Sequence, residues 1–290
     1  MRHLKISLKI LAGLVALPVI MIFLNQCNNP DKVENMENKV NILFLHHSTG
    51  NNIWKGGKTG RIDRLINKIN PKSAVKSWFA KFNQQNGTNY AINEQAFPKG
   101  EPYGWKNYPH DYYNIWVKNA GSKPFTEEPT LEMLTKDNDV IIWKHCYPVG
   151  AILDDTGNPD VDSPVKSLEN YKLQYQALKE KMHEFPGTKF IVWTGAVLVK
   201  GNTNEAQAER AKAFHTWAVK DWNEPGDNIY LWDFYELETE GGLYLKEAYA
   251  ASPSNSHPNP AFSKQAYPYF CQRIVDVIED KGDIGNLTGK

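Results

Sequence analysis

VNILFLHHSTG, residues 40–50, is the stretch that decides the fold. Residues 42–45 are all apolar, the run is too short for a helix, and it ends abruptly in a polar turn. A short apolar run bounded by turn signals reads as a strand buried on both faces. Four similar runs follow, at residues 90–93, 140–144, 189–194 and 229–233. Helical spacing lies between and after them. Residues 63–69 and 127–135 read as helices, the second entered through Thr126 with Pro129 in its first turn. Residues 167–184 carry Leu168, Tyr171, Tyr175, Leu178 and Met182 on one face, and residues 205–222 carry Ala208, Ala211, Phe214 and Ala218. Residues 260–280 close the series. Strands alternating with helices predict an α/β fold, a three-layer sandwich around a central, mostly parallel five-stranded sheet. Residues 97–125, rich in Gly, Pro and aromatics, and residues 146–164, rich in Asp, fit neither period. Loops of this length in a compact domain are often functional.

The chain has 290 residues, with 33 Lys and Arg balanced by 33 Asp and Glu. That balance lacks the basic footprint of a nucleic-acid partner. Cys27, Cys146 and Cys271 have neither zinc spacing nor the pattern of a disulfide framework, and no cofactor or metal is implied. At the N-terminus, Arg2, Lys5 and Lys9 precede an uncharged run over residues 10–24. This suits a signal-peptide core better than a spanning helix, which needs about 20 apolar residues. The run ends Leu24-Asn25-Gln26-Cys27, which resembles a bacterial lipoprotein signal, with Cys27 as the lipidation site. An uncleaved signal anchor is the alternative. Either way an exported, membrane-anchored protein is expected, periplasmic or at the cell surface. Residues 1–27 then form the leader, 28–39 a polar linker and 40–282 the domain.

Ser48 follows the first strand directly. In an open parallel sheet, ligands sit beyond the carboxyl ends of the strands. A hydroxyl on that turn lies near backbone N–H groups suited to holding an oxyanion, and Gly50 supplies flexibility for the turn. Near the other end comes Ser254-Asn255-Ser256-His257-Pro258-Asn259-Pro260, a loop before the last helix. A neutral His257 within reach of Ser48 would activate it as a nucleophile.

ILFLHHSTG and NSHPN, in this order and context, resemble the nucleophile and base blocks of the SGNH hydrolases, the GDSL-type esterases and lipases. The first block looks like a divergent bacterial branch with His-His-Ser-Thr-Gly. The resemblance spans residues 40–280. It implies a flavodoxin-like sheet, Ser48 as nucleophile, His257 as base, no cofactor, and hydrolysis of esters such as O-acetyl groups on small molecules or glycans. The aromatic loop carrying Tyr103, Trp105, Tyr108, Tyr112, Tyr113 and Trp116 would suit a sugar-binding wall. Three departures stand out. Cys146 falls where the family has an oxyanion-holding Asn, which leaves Lys144 or His145 as substitute donors. The glycine donor is Gly100 or Gly104. Ser254 stands where the family has the Asp that orients the base, so Ser254 itself or Asp233 is the orienting candidate. These departures keep two rivals open: a non-catalytic glycan-binding protein on the same fold, and an O-acyltransferase.

Overall fold

The structure is a computed structural model that describes residues 39–57, 73–104, 107–283 and 285–290. The expected leader, Cys27, nearly all of the linker, the helix expected at 63–69 and Trp105 lie outside these residues. Five strands form the main sheet: β1 (Val40–His46), β2 (Tyr90–Ala96), β3 (Val140–Trp143), β4 (Lys189–Trp193) and β5 (Ile229–Trp232). Their order is β2-β1-β3-β4-β5, and all four pairings are parallel. This is a doubly wound order whose direction reverses between β1 and β3.

Eight α-helices are described: α1 (Ser48–Lys55), α2 (Ala74–Asn86), α3 (Pro109–Tyr113), α4 (Leu131–Leu134), α5 (Leu168–His183), α6 (Glu205–Trp217), α7 (Phe234–Thr239) and α8 (Pro260–Ile278). Alternation along β1 divides the core in two. Ile42 and Phe44 join Trp193, Trp232 and Phe270 beneath α1, α2 and α8. Leu43 and Leu45 join Trp116, Trp143 and Tyr175 beneath α3, α5 and α6. Helices therefore cover both faces, giving three layers.

The helix boundaries follow local chemistry. The Ser167 hydroxyl accepts the Asn170 N–H at the start of α5, and Asn259 Oδ1 accepts the Phe262 N–H at 2.8 Å before Pro260 opens α8. The helix expected over 127–135 shrinks to the single turn of α4. Thr126 and Glu127 have φ of 44° and 65°, and Phe125 and Glu128 exchange backbone hydrogen bonds across them. That left-handed turn excludes a helix, so Thr130 becomes the cap. Conversely, part of the supposed irregular stretch 97–125 is helical. Pro109 starts α3, Asp111 accepts the Tyr108 N–H at 2.8 Å, and the chain runs on through a wider turn to Lys118. Tyr112 and Trp116 of this segment are fully buried core, not an exposed wall. The acidic loop is tied down by Asp154 to Arg210 and Asp162 to Lys118, at 2.6 and 2.8 Å.

His257 lies in a small antiparallel hairpin, β6 (Ala250–Ser252) with β7 (Asn255–Pro258), where a loop was expected. Both Cys146 and Cys271 are free thiols. Among the described residues no helix is long and apolar enough to cross a membrane.

Gly50 has a different role from the one its turn position suggests. It lies inside α1, where a Cβ would fall 2.5 Å from His46 Cβ. Its missing side chain lets α1 pack on the end of β1. Gly50→Ala is expected to lower stability by about 1–3 kcal/mol through overpacking, read as the urea midpoint. An unchanged midpoint would show that His46 can yield.

Candidate active site

β1 lies between β2 and β3, so the crevice of the doubly wound sheet opens at the carboxyl ends of β1 and β3. Ser48 is the first residue of α1, directly beyond β1, and Cys146 lies just beyond β3. The first-turn N–H groups of a helix have no intrahelical partner, and His47 provides no side-chain cap here. Ser48 thus stands at a helix end that favours developing negative charge.

Two cavities meet at Ser48. One, of about 350 Å³, is lined by His47, Ser48, Asn107, Tyr108, Cys146 and Tyr147. The other, of about 400 Å³, is lined by Ser48, Asn52, Asn255, His257 and Pro258 among others. Tyr147 belongs to the first and packs edge-on against His257 of the second, with ring centroids 5.0 Å apart. Asn52 Nδ2 donates to the Pro258 carbonyl at 3.2 Å, fastening α1 to β7. The structure therefore brings Ser48 and His257 to one cavity, as the sequence order anticipates. Among the described residues no hydrogen bond joins them. Ser48 Oγ instead approaches Cys146 Sγ at 3.9 Å.

The tautomer of His257 is fixed by its neighbour. Asn255 Oδ1 accepts the backbone N–H of His257 at 3.1 Å and also lies 2.7 Å from His257 Nδ1. A backbone N–H only donates, so that Asn255 atom is the amide oxygen. Nδ1 must then carry a proton, and Nε2 keeps its lone pair as a base. Desolvation, with the nearby Lys144 charge second, lowers the His257 pKa and keeps the ring neutral. Among the described residues neither expected orienting group hydrogen-bonds to His257. Ser254 pairs with Ser252 and gives its carbonyl to Asn202. Asp233 accepts from Thr194 Oγ1 at 2.5 Å and caps α7 through the Glu236 N–H.

Residues 144–146 continue the alternation of β3. Lys144 is fully buried on the α8 side, with Nζ donating to Cys146 Sγ at 3.2 Å and lying 5.8 Å from the Trp193 ring centroid. His145 falls on the other side, among the rings of Tyr112, Trp143 and Tyr175. Burial and the Lys144 charge hold it well below the ordinary histidine range. It is not among the residues lining either Ser48 cavity. The Gly104 N–H is engaged by the Gly100 carbonyl, and Gly104 is not among the residues lining either cavity.

Several site residues escaped sequence reading. Asn107 Oδ1 accepts the Cys146 N–H at 2.7 Å, while its Nδ2 donates to the Phe97 carbonyl and to Tyr112 Oη. Tyr112 in turn donates to the Lys144 carbonyl at 2.8 Å. Asn107 is thus a strut that holds the turn after β3, and nothing in its neighbours signals this. Glu238 of α7 is fully buried and accepts the Val197 N–H at 2.7 Å. Desolvation raises its pKa to about 8 against the opposing Lys144 charge. His47 is lowered to about 4, first by desolvation and then by Lys144.

No known family profile matches the sequence, and no curated protein resembles it significantly. The geometry must carry the functional reading.

Glu238 offers a test of this electrostatic description. Its folded carboxyl loses a proton near pH 8, whereas a free glutamate does so near 4.5. The folded chain then binds more protons between these values, and stability is lost as pH rises through that window. Glu238→Gln is expected to gain at least about 1 kcal/mol over the wild type at pH 8 relative to pH 4.5, by urea titration. The same difference at both pH values would contradict a buried neutral carboxyl.

Proposed function

We propose that this chain is a serine esterase of the SGNH type, exported and membrane-tethered through its N-terminal segment, that hydrolyses O-acyl esters of small molecules or glycans. The observation that carries this reading is the convergence of Ser48, at the end of β1, and His257, in its base tautomer, on one cavity at the sheet's reversal point. The strand order 2-1-3-4-5 is that of flavodoxin-like sheets, which the resemblance implies. The choice of O-acetyl groups and glycans rests on the resemblance and on the expected location.

In this mechanism the substrate carbonyl enters between the two cavities. Ser48 Oγ attacks the carbonyl carbon, and His257 Nε2 takes the hydroxyl proton. The oxyanion that forms accepts from the Ser48 N–H at the start of α1 and from the Cys146 thiol, with the Lys144 charge behind it. The Cys146 N–H is already held by Asn107, so the turn after β3 contributes side chains and not backbone. His257 then protonates the departing alcohol, and activates water to release the acid. The Ser48–His257 hydrogen bond closes with substrate bound, as catalytic hydrogen bonds often do. Asn255 fixes the ring but, being neutral, stabilises the imidazolium less than an aspartate would.

Full-length protein should release p-nitrophenol from p-nitrophenyl acetate, and Ser48→Ala should lower kcat by about 10³-fold or more. Equal release by both proteins, with folding intact by circular dichroism, would remove Ser48 from the chemistry and favour glycan binding or an acyl acceptor missing from the assay. The pH profile of the same reaction provides a second check. The neutral His257 is lost on acidification through a pKa lying below 6.5. The acid limb of kcat/KM should therefore have its midpoint below pH 6.5, and a midpoint above it would exclude His257 in this environment as the base.

A further inference from the structure

The ester-hydrolase reading uses the Lys144–Cys146 pair only as a polar support. Yet a nitrogen and a sulfur, each nucleophilic once deprotonated, are in contact here: Nζ lies 3.2 Å from Sγ, and the lysine side chain has no solvent exposure. Cys146 is 8% exposed and lines the cavity of about 350 Å³ beside Ser48. A small reagent can reach the sulfur from that cavity, while the lysine waits on its buried side. Cys271 provides the contrast. It is wholly buried in α8 among apolar side chains, and desolvation pushes its pKa well up.

We propose that Lys144 and Cys146 are a peroxide-responsive modification site that closes into a covalent sulfenamide. In the first step Cys146 sulfur attacks one oxygen of hydrogen peroxide. The O–O bond breaks, the thiol becomes a sulfenic acid, and one water leaves. A sulfenic acid condenses with a thiol or a nitrogen held against it. In the second step the Lys144 ammonium gives a proton to the sulfenic hydroxyl, which leaves as a second water, while the freed amine attacks the sulfur, forms the S–N bond and releases one further proton. Overall, Cys–SH, Lys–NH₃⁺ and H₂O₂ give Cys–S–NH–Lys, two waters and one proton. Sulfur is oxidised by two electrons, peroxide is reduced by two, and the pair loses two hydrogens besides that proton. A thiol reductant reverses the link by attack on the sulfur. The ring closes within three residues already in contact, so no segment of the chain has to move far. The proposal does not depend on ester hydrolysis.

Trypsin provides the readout. It cuts after Lys144 only when the amine is free, and no other Lys or Arg lies between Lys136 and Lys166. Full-length protein is treated with hydrogen peroxide, its remaining thiols are alkylated, and the unreduced digest is weighed. The expected product is the uncut peptide of residues 137–166, lighter by two hydrogens than its unmodified form. Cys271 should be alkylated in the same sample, and dithiothreitol should restore cleavage at Lys144. Cys146→Ala should abolish the uncut peptide, and this control stands even if Lys144 variants fail to fold. Normal cleavage at Lys144 would overturn the proposal, whether Cys146 is then an unmodified thiol or carries added oxygen. Persistence of the uncut peptide in Cys146→Ala would also overturn it.

Discussion

A lysine charge with no access to water, at the end of β3, constrains everything around the crevice. Removing a charge from solvent costs several kcal/mol unless partners surround it. Lys144 has the Cys146 sulfur in contact, the Trp193 ring nearby and the Glu238 carboxyl within electrostatic reach. Burial first, and the same charge second, push His47, His145 and His257 toward their neutral forms. One cation sits among three uncharged imidazoles and near a carboxyl that burial, against the pull of that cation, keeps protonated at neutral pH. A neutral imidazole is what a base needs. Under the proposed resemblance, the residues standing in place of its oxyanion-holding Asn do more than omit a donor, because the Lys144 charge adds to burial in keeping the nearby imidazoles neutral.

The fold was legible to the extent that burial on both faces dictates sequence. Four of the five predicted strands end within one residue of where they are found, and the other, at 90–93, extends three residues further. α5 and α8 were legible because Ser167, Asn259 and Pro260 mark their starts. The aromatic stretch was misread because α3 and the turn after it are buried nearly all round. Tyr112, Tyr113, Ile115 and Trp116 leave no polar face to reveal a period. The helix expected from Thr126 failed for a backbone reason: Thr126 and Glu127 adopt left-handed φ, which composition does not announce.

The candidate site was legible in its two ends and obscure in its middle. Ser48 and His257 could be proposed because each stands at a junction between local patterns. Their supports could not, since these are contacts between segments far apart in the chain. Asn107 reaches Cys146 across 39 residues and Glu238 reaches Val197 across 41. Asn255 is the exception. It lies two positions before His257 and was passed over because the family pattern directs attention to the third.

The hairpin β6–β7 places the candidate base on a different piece of structure from the candidate nucleophile. The fastening between them, Asn52 to Pro258, spans 206 residues. During synthesis the Ser48 end emerges first, and it stays apart from the candidate base until the hairpin has been delivered and α8 has packed. Loop closure over such a span comes late, after local elements have formed. Under the proposed esterase reading this order of assembly gives a built-in latency: a partly made chain carries the serine but not the histidine that would activate it. On that reading, assembly of the last helix doubles as the step that arms the site.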